Sequence, residues 1–314
     1  MTTGSKSISV IICTFNPIDE VFKRCLDSVR VASSGYNPAE IIIVDNNSTD
    51  PVSARNYVAG FLDNLAQSKV IVERQQGLTH ARLRGIHESM GELLIFIDDD
   101  NLIDGNYFSK AAEISQNHSF IGAYSGRVTL EYDTEPASWT KRYWGMLIYR
   151  DLQSDVWSNL HFNNETMPNG AGLCITRDVA SHYVKLFDEG NRNFVLDRSK
   201  GSLLSGGDND LAMCACDIGK GMGLFKDLHL RHYTPAKRFS LEYLSRLAYG
   251  IYFSYAVLLY MRTGRIDKDT FRQRVKHYLQ VSLMKRKEDR IIQRSCRNGL
   301  KDAAKIIESG NWNR

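Results

Sequence analysis

No C-x-x-C pair occurs among the six cysteines, which stand at 13, 25, 174, 214, 216 and 296. Cys214-Ala-Cys216 has no second pair to complete it, so a zinc site is not expected and free buried thiols are. Thiols without a disulfide framework suit a reducing compartment. No apolar run reaches the roughly 20 residues of a membrane-spanning helix. The longest uncharged stretch, Leu247–Met261, has fifteen residues and is expected to be a buried helix or one lying on a surface. The polar start Met-Thr-Thr-Gly-Ser-Lys is read as lacking an apolar signal segment, which gives a cytoplasmic expectation. Internal repeats and low-complexity stretches are missing. So is a concentrated basic patch with aromatic or motif support, which argues against nucleic acid as a partner.

What is present fits a globular enzyme: 43% hydrophobic and 24% charged residues over 314 positions. Charge is uneven. Residues 262–314 hold 15 Lys+Arg and 6 Asp+Glu, a net of +9, while the rest of the chain nets −5. A basic tail behind an acidic body suits either a solvated helix or peripheral contact with an anionic membrane surface at the inner face.

Apolar runs and breakers predict an ordered series of elements. Ile8–Thr14, Glu40–Val44 and Leu93–Ile97 read as buried strands, and Lys69–Glu73 as a shorter one. Helical spacing covers Ile18–Arg30, Ser53–Gln67 and Leu78–Ser89. Residues 107–238 read as short strands and loops with glycines at 170, 172, 201, 206 and 207. From Ser240 the pattern is helical, with Leu241, Leu244, Leu247 and Ala248 on one stripe that Phe271, Val275, Tyr278, Leu279 and Val281 continue. Strands alternating with helices imply a parallel sheet with right-handed crossovers. Ligands of such sheets sit beyond the carboxyl ends of the strands. There the polar clusters fall: Thr14-Phe15-Asn16, then Asp45 to Asp50, then Asp98-Asp99-Asp100.

Three adjacent aspartates at the end of an apolar strand repel one another and raise each other's pKa. A divalent cation removes that penalty, and Mg²⁺ sites often combine one or two carboxylates with substrate phosphates. The run FIDDDN therefore predicts Mn²⁺ or Mg²⁺ holding a diphosphate. The plainer alternative is an acidic helix cap at Asp100 or Asn101, which uses one side chain and leaves the other carboxylates unexplained.

CTFN, IIIVDNNSTD, GLTHARLRG, IFIDDDN and GGDNDL, in this order, resemble the motif series of the family 2 glycosyltransferases over about residues 7–240. The resemblance implies an α/β fold of the GT-A type: a Rossmann-like, mostly parallel sheet flanked by helices. Residues 1–239 would form that domain, with a nucleotide-sugar half to about 105 and an acceptor half from 106, and 240–314 a basic helical extension. It implies an inverting transfer from a nucleotide-diphospho-sugar, UDP foremost, to a hydroxyl of a glycan or lipid-linked acceptor, in cell-surface polysaccharide or glycan assembly. Thr14, Asn16 and Asp45, with Asn47, would hold the nucleoside; Asp45 to Asp50 also suits an Asx-turn, and both can hold together. Gly77 would allow close backbone approach and Arg82 would meet phosphate, or be a surface arginine. Asp98 and Asp99 would lie near ribose and metal, and Asp100 would ligate the metal, with Asp98 a further candidate ligand.

Asp208 aligns with the family's general base, which takes the acceptor proton as attack proceeds. It also suits a helix N-cap. Gly207 stands where the family usually has Glu. His232 is a candidate metal or diphosphate contact; His229, read as lying on the same strand face, competes with it. Arg238 is either a phosphate contact or a helix start. Asn169-Gly170-Ala171-Gly172 resembles the small-residue stretch beside the donor sugar. Trp139, Trp144 and Trp157, with Tyr143 and Tyr149, suit sugar stacking or core, with core expected for at least two tryptophans. A processive synthase would show Gln-x-x-Arg-Trp and membrane spans, and a nucleotidyltransferase a Gly-rich basic loop after the first strand; neither is here. The remaining alternative is a catalytically silent nucleotide- or glycan-binding module of the same fold.

Overall fold

The computed structural model describes residues 6–63, 65, 67–192, 196, 204–266 and 281–310. Of the residues singled out above, Gly201, Phe271, Val275, Tyr278 and Leu279 lie outside that set. The chain forms two compact units. The first comprises Met1–Glu131, Ile148–Glu189 and Asp208–Thr234, and the second Tyr132–Leu147, Gly190–Gly207 and Pro235–Arg314.

The first unit is built on one sheet. Its strands are β1 (Ile8–Thr14), β2 (Glu40–Asp45), β3 (Ser68–Val72), β4 (Leu93–Asp98), β5 (Asn101–Ile103), β6 (Ile121–Glu131), β7 (Val156–Ser158), β8 (Leu173–Thr176) and β9 (Gly221–Tyr233). Their order is β3-β2-β1-β4-β8-β6-β9-β5, with β7 paired to β9. β3, β2, β1 and β4 run parallel. β8 enters antiparallel to both β4 and β6, and β6 and β9 are again parallel to each other.

β1, β2 and β4 carry almost unbroken β-branched and aliphatic residues because both of their faces are covered. Alternation divides the labour. Val10 and Ile12, Ile41 and Ile43, and Ile95 and Ile97 join Phe22, Cys25, Leu26 and Val29 of helix α1 (Asp19–Gly35) in one core. On the other face Ile11 meets α3 (Leu78–Glu88), so closely that a Cβ at Gly85 would collide with its side chain. Each wholly buried Val or Ile here contributes about 1.5–3 kcal/mol relative to exposure. α1 begins with Asp19 and Glu20, favourable at the positive end of its dipole, and stops before Asn37-Pro38.

The stretch expected to be one helix over Ser53–Gln67 is instead a 3-10 turn at Val52–Ala54 followed by α2 (Asn56–Asp63). The middle of the chain is more regular than its sequence suggests. It holds α4 (Tyr107–Asn117), α5 (Arg177–Asp188), α6 (Gly207–Asp217) and the 13-residue β9. β9 steps past β6 between Gly126 and Arg127, where Phe225 and His229 are the successive partners. Gly126 is required there, since a Cβ would run into the carbonyl oxygens of Leu228 and Phe225.

In the second unit, α7 (Leu241–Thr263) packs against α8 (Lys287–Glu308). Ser240 caps α7 by accepting from the Tyr243 amide (3.2 Å), and Gly264, at φ 68°, ends it in the left-handed region. The uncharged run Leu247–Met261 lies within α7, with Leu247, Ala248, Phe253, Ala256, Val257 and Leu258 buried. α8 buries Ile292, Cys296, Gly299, Ala303 and Ile307, a seam at helical spacing, and Gly299 lets the Tyr249 carbonyl approach. Among the described residues no helix is long and apolar enough to cross a membrane.

Candidate functional site

The turn after β4 is where the strand ends meet. Asp98 closes the strand, Asp99 and Asp100 form the turn, and β5 returns antiparallel to β9 with Asn101 opposite His232. Asn101, fully buried, pins the turn: its Oδ1 accepts from the Asp98 amide (3.2 Å) and its Nδ2 donates to Asp100 Oδ1 (3.0 Å). The Asp99 and Asp100 carboxylates diverge in their contacts. Asp99 turns inward and accepts from Thr14 Oγ1 at 2.6 Å. Burial, and then the neighbouring Asp100 charge, push its carboxyl up to about 7. Asp100 Oδ2 stands 3.3 Å from His232 Nε2.

A carboxylate oxygen and an imidazole nitrogen side by side are donors that a divalent cation would take. The crowding of charge around Asp99 is what a cation would relieve. Asp98 enters the metal set through the resemblance alone. His229 is not the equivalent of His232, nor on the same strand face. They stand three positions apart, so alternation points the rings to opposite faces. His229 Nδ1 meets Asp104 Oδ2 at 2.9 Å and its Nε2 meets Thr129 Oγ1 at 3.0 Å.

The loops after β1 and β2 interlock. Asn16, at φ 48°, receives the Thr49 amide on Oδ1 (2.8 Å), and its own amide donates to Ser48 Oγ (2.9 Å). Asp45, 2% exposed, accepts the Ser48 amide on one oxygen (2.9 Å) and the Val52 amide on the other (3.0 Å). These partners stand three and seven residues ahead rather than the two of an Asx-turn, and each carboxylate oxygen accepts one of the loop's amides. Asn47 is exposed and left-handed, φ 64°. Asn46, passed over in the sequence, is the cross-brace. It accepts from the Gly77 amide (2.7 Å) and donates to the carbonyls of Gln75 (2.8 Å) and Glu73 (3.2 Å). Gly77 opens α3 at φ 140°, a conformation only glycine takes easily.

A second focus gathers Arg82, Gly170 and Asp208. Arg82 is 3% exposed on α3, which removes the surface-arginine alternative. Asp208, in the first turn of α6, accepts from the Gly170 amide on Oδ2 (2.9 Å) and from the Asn209 amide on Oδ1 (3.0 Å). A Cβ on Gly170 would lie 2.7 Å from Arg82 Nη2 and 2.8 Å from Asp208 Oδ2. Gly170 is therefore glycine because a guanidinium and a carboxylate converge on the space a side chain would fill. Beside it Asn169 is buried, with its backbone amide held by Ser125 Oγ (2.9 Å) and its Nδ2 lacking a hydrogen-bond partner among the described residues. Gly172, at φ 67°, receives Tyr107 Oη on its carbonyl at 2.7 Å. Gly207, in place of the family's Glu, is the first residue of α6.

Trp139, Trp144 and Trp157 are not fully buried, against the expectation of core for at least two of them. Trp157 is 53% exposed and rests edge-on against Phe120, with ring centroids 4.8 Å apart, in the first unit. Trp139 and Trp144 are half-buried in the second unit, where Trp144 packs with Tyr132 and Phe239. Arg238 sits there too, in a short 3-10 turn ahead of α7.

The glycosyl transferase family 2 model matches residues 9–168, just over half of the chain. Glycosyltransferase AglE of Haloferax volcanii is 34% identical over 102 residues, 32% of this chain and 32% of that protein. An N-acetylglucosaminyltransferase of Azorhizobium caulinodans is 25% identical over 142 residues, 44% of this chain and 35% of that one. The chain thus spans about a third of the length of these curated relatives. The crystal structure of S. aureus TarS 1-349 superposes with a TM-score of 0.51 over 97% of this chain and 92% of that chain, at 13% identity. It shares the GT-A arrangement of a mixed sheet flanked by helices. With the family model covering residues that include the interlocked loops, the aspartate turn and Arg82, the chain belongs to glycosyl transferase family 2.

Proposed function

We propose that the chain is an inverting, metal-dependent glycosyltransferase that moves a sugar from a nucleotide-diphospho-sugar, UDP foremost, to an acceptor hydroxyl. The observation that carries this is the convergence of Arg82 and Asp208 on the space above Gly170, with Gly170 and Asn209 amides orienting the carboxylate. Asp208 is a base positioned to take the acceptor proton, and attack opposite the departing diphosphate inverts the anomeric centre. Arg82 offers a bidentate partner to phosphate oxygens. Asp100 and His232 would hold Mn²⁺ or Mg²⁺, which when bound supplies Lewis-acid stabilisation of the leaving diphosphate. Thr14, Asn16, Asn47, Gly77, Asp98 and Asp99 would border the nucleoside and ribose. Asp45 then acts by shaping the loop that faces them.

The acceptor proposed is a glycan or a lipid-linked glycan in cell-surface assembly. Exposed Lys285, Arg286, Lys287, Arg294, Lys301 and Lys305 in and ahead of α8 support peripheral contact with an anionic leaflet. Flotation with anionic liposomes at low salt tests this part, and a protein left unbound removes it.

A thermal-shift panel of UDP, GDP, dTDP and CDP, each with and without Mn²⁺, tests the donor site. A ligand at about 100 times its dissociation constant adds about 2.7 kcal/mol. One nucleotide should stabilise the wild type only with Mn²⁺ and fail to do so in Asp100→Ala. No shift with any nucleotide at millimolar concentration overturns the donor site and favours the silent module.

A further inference from the structure

Away from the strand ends, α5 and α6 bring together side chains that sugar transfer does not use. His182 on α5 and Cys214 and Asp217 on α6 offer an imidazole nitrogen, a thiol sulfur and a carboxylate oxygen, all within 4.8 Å of one another. Among the described residues this is the one set of three His, Cys, Asp or Glu donors gathered so closely. Cys214 and Asp217 share a helix face because they stand three residues apart. The Asp217 carboxylate lies between two imidazoles: His161 Nε2 is 2.7 Å from one oxygen and His182 Nε2 is 3.5 Å from the other. Cys214 is buried, with Sγ 3.3 Å from the Asp210 carbonyl. The two histidine side chains, 41% and 27% exposed, leave a route from solvent.

One hydrogen bond and one longer contact hold the two rings to the carboxylate, and Cys214, on the same helix face as Asp217, adds a sulfur donor beside them. Sulfur, nitrogen and oxygen at one point is the donor set of a borderline-soft divalent cation. We propose that His182, Cys214 and Asp217 form a second cation site, selective for Zn²⁺, with His161 orienting Asp217 from outside and a water completing the coordination. Linear spacing concealed it, because the donors come from two helices and no C-x-x-C exists. Binding exchanges the Cys214 thiol proton for the ion, and the proton leaves to solvent. The ion ties α5 to the helix whose first turn carries Asp208, so its role is to stiffen that helix.

Co²⁺ titration of the metal-stripped full chain tests the site spectroscopically. A thiolate-to-cobalt charge-transfer band should saturate at one ion per chain and be displaced by Zn²⁺. It should vanish in Cys214→Ser and persist in Asp100→Asn, because the aspartate turn contributes none of the three donors. Asp217→Asn and His182→Gln, at half-exposed positions, serve if Cys214→Ser does not fold, and each should weaken binding by about tenfold or more. Absence of the band in the wild type overturns the site. So does its survival in Cys214→Ser, or unchanged affinity in both other variants.

Discussion

Asp45 and Asp208 each accept two backbone amides, yet the regions around them are built in different ways. Asp45 takes amides three and seven residues ahead, is almost wholly buried, and closes its own loop. Asp208 takes one amide from its neighbour and one from Gly170, 38 residues earlier, and shares that space with Arg82. The first region spends its carboxylate on making the backbone. The second uses the backbone to aim a carboxylate. The same residue type with the same number of bonds is thus structural in one place and a candidate for chemistry in the other, and the difference lies in where the partners come from.

Four substitutions sharpen or break that contrast. Asp208→Asn keeps the shape and removes the base, so transfer should fall about 10²–10⁴-fold while Mn²⁺-dependent nucleotide stabilisation remains. Undiminished turnover would assign the proton transfer to another group. Gly170→Ala places a methyl against Arg82 and Asp208, and about 10²-fold should be lost from turnover through misplacement. Its melting temperature should move far less than its activity.

Asp45→Ala should show the reverse pattern. Two amides lose their acceptor, at about 2–3 kcal/mol of stability. If instead stability holds and the nucleotide shift disappears, Asp45 touches ligand and the contrast fails. The smallest effect is expected at Lys220, which is 2.6 Å from Asp178 on a partly exposed surface. Hydrogen bonds from Lys220 and Thr176 hold the Asp178 carboxyl below its ordinary range, outweighing partial burial, which raises it. A lowered folded pKa gives stability that is present above the unfolded value, about 3.9, and is lost as pH falls through the lowered one. Lys220→Ala should therefore cost a few tenths of a kcal/mol at neutral pH and nothing in strong acid, measured by urea melts.

Legibility follows the same division. β1, β2 and β4 were readable as apolar runs because parallel strands covered on both faces need no polar alternation. The clusters at their carboxyl ends were readable for the same topological reason. Asn46 and Asn101 were not. Each is one polar residue among several, and only their bonds to Gly77 and to the Asp98 amide mark them as braces. The helices of residues 107–217 were read as irregular because glycines and aromatics scattered among short apolar stretches hide their period. At least two of Trp139, Trp144 and Trp157 were expected in the core, and all three stand half-buried or exposed.

By itself the sequence determined the alternating α/β order, the three buried strands and the polar ends on which a nucleotide-binding reading rests. Local periodicity and local breakers suffice for these, since each is decided within a few residues. Only the tertiary structure decided that His232 rather than His229 meets Asp100, through the β5–β9 register. It alone brought Arg82, Gly170 and Asp208 to one point and His182, Cys214 and Asp217 to another. Those groups lie on separate elements, and their convergence exists once the helices have packed on the sheet and not before.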